Sequence, residues 1–244
     1  MPESRISDYL SFLQELDARG LDYFLEGGQA VNFWAEYFSA KGADATLKPF
    51  QPFTSKDCDV WVSHAALNYL RTKENGGRLV EGSSPADGQV GIFSLNGSRS
   101  LVVDIMSNVY GVPVSKLPQL KKRSLTINGI RVIDPIFLFQ SKCHCLRGLD
   151  QAGRQDEKHL RMLCLLLPEY LVELIEEARD GNITQRAVIK EVKLLQAILQ
   201  RSNIKQALEE VEVIPVTLVP VEALRDSGLM TLVRFVDSEY PQED

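Results

Sequence analysis

The spacing of hydrophobic positions changes several times along the chain, and each change marks an element. Over 5–19, Ile6, Tyr9, Leu10, Leu13 and Leu16 keep the i, i+3, i+4 spacing of a helix with one apolar stripe. Gly20 stands where such a helix stops. Residues 22–26 read as a short strand. The Gly27-Gly28 pair then turns the chain into a helix over 29–38, with Ala30, Val31, Trp34 and Phe38 on its apolar stripe. The segment 39–55 shows little periodicity and contains Gly42, Pro49 and Pro52, so it reads as a loop. A strand over 57–62 and a helix over 64–74 follow, the helix ended by Asn75, Gly76 and Gly77. Strand candidates come next at 78–81, 89–95 and 101–106, with Asn96-Gly97 as a hairpin turn between the last two.

A second hairpin is expected from 121–127 and 130–133, joined by Asn128-Gly129. Asp134-Pro135 has the form of an N-cap with proline at the first helical position. Beyond it the period is helical, with helices expected at 135–149, 154–166, 168–180, 184–201 and 203–210. An extended piece at 211–219, a short helix at 220–227 and an amphipathic piece at 228–236 precede an acidic tail. The pattern predicts an α+β protein, with its strands in residues 1–134 and a mainly helical region over 135–244.

Composition narrows this picture. A chain of 244 residues makes one large domain or two small ones. Hydrophobic residues at 44% and charged residues at 25% are ordinary for a soluble globular protein. No apolar run approaches the roughly 18 residues needed to span a bilayer. The N-terminal MPESRISDYL lacks a signal-peptide layout, so a cytoplasmic location away from any membrane is expected. Cys58, Cys143, Cys145 and Cys164 do not suggest a disulfide framework, and reduced thiols are expected. A net charge of −6 argues against a large nucleic-acid surface. The local cluster Lys116, Lys121, Lys122, Arg123 and Arg131 reads as a solvated face or as a surface for acceptor RNA or phosphate.

Candidate chemistry concentrates around Asp57 and Asp59. Side chains on a strand alternate, so Asp-x-Asp places both carboxylates on one face. Two like charges side by side repel unless a cation lies between them, which makes the pair a candidate divalent-metal site. Asp104 interrupts the apolar run Leu101-Val102-Val103-Asp104-Ile105-Met106. A carboxylate in such a run is expensive to bury unless it is paired, with Arg99 as one candidate partner, or bound to metal. The strand, glycine pair and helix N-terminus at 22–38 form an anion site, because free amides and the helix dipole favour phosphate there. Such a set suits nucleotidyl transfer with two Mg²⁺ ions. Cys143-His144-Cys145 does not make a zinc site, since consecutive helical residues point in different directions. His64 and His159 read as helix-end or surface residues. Lys142 reads equally as an ordinary lysine with its stem along the helix or as a site residue.

The chain resembles the minimal nucleotidyltransferases of the DNA polymerase beta superfamily in Gly27-Gly28, Asp57-Cys58-Asp59 and Asp104. The stretches GGQAVNFWAEYF and PFTSKDCDVWV are most similar to bacterial proteins related to the abortive-infection nucleotidyltransferase toxins. That resemblance spans about 20–166. It implies a nucleotidyltransferase-type mixed β-sheet flanked by helices, catalytic in residues 1–134, followed by the helical region of 135–244, which helps close the cleft. It also implies transfer of a nucleoside monophosphate from an NTP such as ATP to an acceptor hydroxyl on RNA, protein or a small molecule. Asp57, Asp59 and Asp104 would ligate two Mg²⁺ ions, or Mn²⁺ in their place, with Asp104 also a base for the acceptor hydroxyl. Gly27, Gly28 and Ser55 would contact phosphate, and Lys142, followed by the Arg154-to-Lys158 segment, would contact the triphosphate or support the site. A tRNA acceptor and an antitoxin protein partner follow from the toxin group. A catalytically silent binding protein of the same fold is the alternative. Two features depart from the family: the interval between Gly28 and Asp57 is longer than usual, and Gln29 replaces a small hydroxyl residue. The 39–55 segment in that interval reads as a lid over the nucleotide or as an insertion without function.

Overall fold

The computed structural model describes residues 3–72, 76–84, 88–95 and 101–241. The expected helix stop at Asn75, the hairpin turn at Asn96-Gly97 and the alternative ion-pair partner Arg99 lie outside the described residues. Strands β1 (Tyr23–Glu26), β2 (Cys58–Val62), β3 (Gly77–Ser84), β4 (Gln89–Leu95), β5 (Leu101–Met106), β6 (Leu125–Ile127) and β7 (Ile130–Val132) form one seven-stranded sheet in the order β3-β4-β5-β2-β1-β7-β6. The pairs β2–β5 and β1–β7 are parallel and the others antiparallel, so the sheet is mixed and the protein α+β, as the pattern predicts. Every residue of β1 is buried. Its run Tyr23-Phe24-Leu25 suits a strand covered on both faces.

The helices are α1 (Leu10–Ala18), α2 (Gly27–Phe38), α3 (Asp44–Leu47), α4 (His64–Thr72), α5 (Leu117–Arg123), α6 (Pro135–Gly148), α7 (Asp156–Arg179), α8 (Gln185–Leu199), α9 (Ser202–Glu210), α10 (Val221–Arg225) and α11 (Met230–Glu239). The central helix is α2, buried on most of its surface and packed against the sheet, α6 and α7. Trp34 Nε1 donates to the Ile133 carbonyl at 3.0 Å, which ties α2 to the entry of α6. Asp134 caps α6 as expected, its Oδ1 accepting from the amides of Ile136 at 3.0 Å and Phe137 at 3.2 Å. One hydrophobic cluster runs through both halves of the chain, from Val31 and Trp34 to Leu160 and Leu163. Among the described residues no helix is long and apolar enough to cross a membrane.

Four expectations change. The 39–55 segment is not a structureless loop. It is a chain of short turns: a π turn at Ser39–Ala43, α3, and a 3₁₀ turn at Lys48–Phe50. Gly42, at φ 118°, breaks the first turn, and Pro49 opens the last, so no turn is long enough to show a period. Leu47 and Phe53 anchor the segment in the core. Residues 121–123, expected to begin the hairpin strand, instead end helix α5, and the strand is confined to β6. Pro118 lies in the first turn of α5, Leu120 points inward, and Lys121, Lys122 and Arg123 suit a helix C-terminus. The two helices expected at 154–166 and 168–180 are one helix, α7, running through Pro168. An interior proline costs about 3 kcal/mol. Burial of Leu160, Leu163, Leu167, Leu171 and Ile175 outweighs it, at about 1.5–3 kcal/mol each. Lastly, the expected extended piece at 211–219 contains a 3₁₀ turn, Pro215–Leu218.

Candidate active site

The cleft is built where three neighbouring strands present acids in one row. In the parallel β2–β5 ladder Asp59 is the register partner of Asp104, and in the antiparallel β1–β2 ladder it is the partner of Glu26. Register partners share a face of the sheet. Asp57, one residue before β2, lies on the same side. The carboxylates of Asp57, Asp59 and Asp104 offer oxygens all within 4.8 Å of one another. Half-buried oxygens gathered this closely fit a hard divalent cation, which takes oxygen ligands and offsets their mutual repulsion.

Sequence dictates the turn beside them. Gly27 has φ +65°, and a Cβ there would lie 1.8 Å from Asp59 Oδ2. Gly28 is crowded from the other side, where a Cβ would lie 2.5 Å from Ser55 Oγ and 2.7 Å from His159 Cε1. With no side chains in the way, the first turn of the 12-residue helix α2, uncapped by any side chain, reaches the cleft.

Ser55 is held from behind. Its backbone forms a two-way bridge with Ser4, at 2.8 and 3.0 Å. Gln29 Nε2 in turn donates to the Ser4 carbonyl at 3.0 Å, and Asn32 donates to Gln29 Oε1 at 3.2 Å. Gln29, the residue that replaces a small hydroxyl, is therefore wholly buried in a structural network rather than facing the cleft. Glu3 ties the same corner together, accepting from Thr54 Oγ1 and, at 2.8 Å, from Gln155 Nε2.

The opposite wall comes from α6 and the start of α7. Lys142 Nζ donates to Asp156 Oδ1 at 2.8 Å, and Arg154 Nε meets Asp156 Oδ2 at 2.5 Å. Lys142 and Asp156 are both buried. Burial alone would raise the Asp156 carboxyl, but Lys142 and Arg154 overcome it and hold the group down at about 2. Asp59 goes the other way: burial and the charge of Asp57 push its carboxyl up, against the pull of Lys142. Burial, then Asp59, raises Glu26 well above the ordinary carboxylate range. His159 is pushed well below its usual value by burial and by Lys142, so the ring is neutral.

All seven residues proposed from the sequence, Gly27, Gly28, Ser55, Asp57, Asp59, Asp104 and Lys142, line one cleft of about 180 Å³. Glu26 and His159 line it too and were not legible as site residues. Of the two positions expected for His159, the helix end holds, since it lies in the first turn of α7, and the surface does not, since it is 3% exposed. Its spacing three residues after Asp156 on one helix was the available signal, since such residues share a face. All four cysteines are buried free thiols, and the His144 ring pairs with Asn203, so the Cys143-His144-Cys145 run diverges as expected. In the basic cluster, Lys121 and Arg131 pair with Asp22, while Arg123 pairs with Asp134 and Glu191. Those three cations are thereby neutralised within the fold.

No family model matches the chain, and no curated protein matches its sequence. Among solved structures the fold is similar to an antigenic nucleotidyltransferase-like protein from Paracoccidioides brasiliensis, at 13% identity, over 85% of this chain and 95% of that one, with a TM-score of 0.41. It is also similar to the Megavirus polyadenylate synthase, at 14% identity, over 75% of this chain and 37% of that one, with a TM-score of 0.40.

Proposed function

We propose that the cleft binds a nucleoside triphosphate and transfers its monophosphate to an acceptor hydroxyl. The observation that carries this reading is the convergence of Asp57, Asp59 and Asp104 within 4.8 Å, beside a glycine turn that opens α2 onto them. Asp57, Asp59 and Asp104 would hold two Mg²⁺ ions, or Mn²⁺, which when bound supply neutralisation of the triphosphate and of the leaving pyrophosphate. Gly27, Gly28 and Ser55 orient the phosphate tail at the helix N-terminus. Asp104 accepts the proton of the acceptor hydroxyl as its oxygen bonds to the α-phosphorus and the bond to the pyrophosphate oxygen breaks. Lys142, fixed by Asp156, adds positive potential behind the aspartates and positions the wall of the cleft. Residues 1–134 supply the acids and the turn, and residues 135–244 supply this wall.

Incubation with radiolabelled NTPs and Mg²⁺, across RNA, protein and small-molecule acceptors, tests the proposal by label transfer and pyrophosphate release. Asp57→Ala and Asp59→Ala are expected to abolish both while the protein stays folded. Full activity in either variant would sink the reading. Binding of Mg²⁺·NTP by the wild type with no pyrophosphate released would assign a binding role instead. Following the toxin group that the sequence resembles, tRNA is the first acceptor to test and a neighbouring antitoxin gene the first partner to seek. Unimpaired growth on expression without that gene would count against the toxin assignment.

A further inference from the structure

We infer that His159 is a further nucleotide-binding residue, donating a ring N–H to a phosphate oxygen of the triphosphate seated at the Gly27–Gly28 turn. The inference rests on the nucleotide reading of the cleft and extends it to a residue outside the aspartate set. His159 lies in the first turn of α7, three residues after Asp156 and on the same face. Asp156 uses that face to hold Lys142. His159 uses it to reach Gly28, where its Cε1 lies 2.7 Å from the position a Cβ would take and Ser55 Oγ lies 2.5 Å from the same point. Imidazole, hydroxyl and the amide end of α2 therefore converge on one spot at the edge of the cleft.

The ring is 3% exposed, yet among the described residues neither Nδ1 nor Nε2 has a hydrogen-bond partner. Buried polar atoms are satisfied in the great majority of cases, and those left unmet call for a specific reason. A leucine would fill the space without burying two polar nitrogens. A neutral imidazole carries one N–H donor and one acceptor. The ring carbon nearest the turn stands between the two nitrogens, so rotation about the Cβ–Cγ bond brings one of them to the turn. Lys142, Asp156, Lys158 and Arg154 are the charged groups that act on it most strongly, with Asp57 beyond them, 3.5 Å from Ser55 Oγ. Three of the four are cations, which favours an anionic ligand at this place.

Calorimetric titration with inorganic tripolyphosphate, with and without Mg²⁺, tests the inference on the full chain. His159→Leu is expected to keep a Tm at or above that of the wild type while binding tripolyphosphate at least about tenfold more weakly, the effect of losing one hydrogen bond to a charged group. His159→Gln, which keeps an N–H donor, is expected to regain most of the affinity, which a merely space-filling role would not require. Equal binding by His159→Leu and the wild type overturns the inference, as does failure of the wild type to bind tripolyphosphate. Should His159→Leu not fold, the ¹⁵N imidazole resonances of the wild type decide: a shift of the His159 signals on titration supports the contact, and unchanged signals refute it. A wild type that binds tripolyphosphate through His159 but releases no pyrophosphate from any NTP ends the transfer reading and leaves this one standing.

Discussion

Asp59 of β2 is the register partner of Asp104 of β5, so two carboxylates from strands some 40 residues apart in the chain sit side by side on one face of the sheet. Apolar neighbours, Val103 and Ile105 on β5 and Cys58 and Val60 on β2, fix that register by burying the opposite face. A slip of one residue in either strand would turn its own acid into the core. Packing on one face thus sets the electrostatics on the other, and Asp57 joins them from just before β2.

Crowding of these carboxylates makes stability depend on pH and divalent cations. Asp59 holds its proton more readily in the folded protein than in the unfolded chain, because of burial and then Asp57. Its contribution is therefore complete below the ordinary carboxylate value of 3.8 and is lost as pH rises above it. Without divalent ions the protein is expected to melt lower at about pH 8 than at about pH 5. Mg²⁺ at ten times its Kd should add about 1.4 kcal/mol at the higher pH. Asp57→Asn should melt at or above the metal-free wild type at that pH and respond little to Mg²⁺. Thermal melts in EDTA and in MgCl₂ check this, and an unresponsive wild type would remove the case for a cation site.

Gly27 admits no side chain. Its φ of +65° favours glycine, and a Cβ would sit 1.8 Å from Asp59 Oδ2. Gly27→Ala should destabilise the protein by about 1–3 kcal/mol, the usual cost of a strained backbone position. It should also displace Asp59 and reduce NMP transfer by more than an order of magnitude. Urea denaturation and the labelled-NTP assay give the two numbers. Near-normal turnover in a folded Gly27→Ala protein would show that the Asp59 position is not set by this turn.

Much of the cleft was legible because its residues break local patterns: Gly27-Gly28 between two apolar elements, Asp104 inside an apolar strand, and Asp57 and Asp59 at period 2. Glu26 was missed although it too ends an apolar strand, because a charge beside a glycine turn is unremarkable until β1 is known to lie next to β2. His159 was missed because helical period alone does not say which element its face meets. The turns at 39–50 escaped because none is long enough to show a period, and Pro168 suggested a break that the buried face of α7 overrides. Local patterning reports elements and their odd residues, whereas register and helix placement come from long-range packing.

Gln29 reaches the site only through Ser4. Its amide donates to the Ser4 carbonyl, and the Ser4 backbone pairs with Ser55 on both sides. Gln29→Leu removes this second donor to the Ser4 carbonyl and leaves the buried Asn32 amide without its acceptor, at about 1–3 kcal/mol. Ser55 is then held less firmly against Gly28. A raised KM for the NTP with kcat nearly unchanged is the expected signature. A variant that lowers kcat and leaves KM alone would place Gln29 in the chemistry rather than behind Ser55.

The buried pair of Lys142 and Asp156 gives the sharpest stability prediction. Asp156 is held at about 2, below its ordinary 3.8, because Lys142 and Arg154 outweigh its burial. Stability from this depression is fully present above the unfolded value and is lost as pH falls through about 4 to about 2, a loss of about 2 kcal/mol. Asp156→Asn removes that acid dependence and leaves the Lys142 ammonium buried without its counter-charge, which should cost about 3–5 kcal/mol at neutral pH. Replacing both, as Lys142→Met with Asp156→Leu, should recover most of the loss, since a packed apolar pair stands in for a buried ion pair at little net cost. NTP turnover should stay low in the double variant, because the positive potential behind Asp59 is gone. A double-mutant cycle by urea denaturation, with turnover measured alongside, separates the two roles. Recovered stability with recovered turnover would make Lys142 structural only.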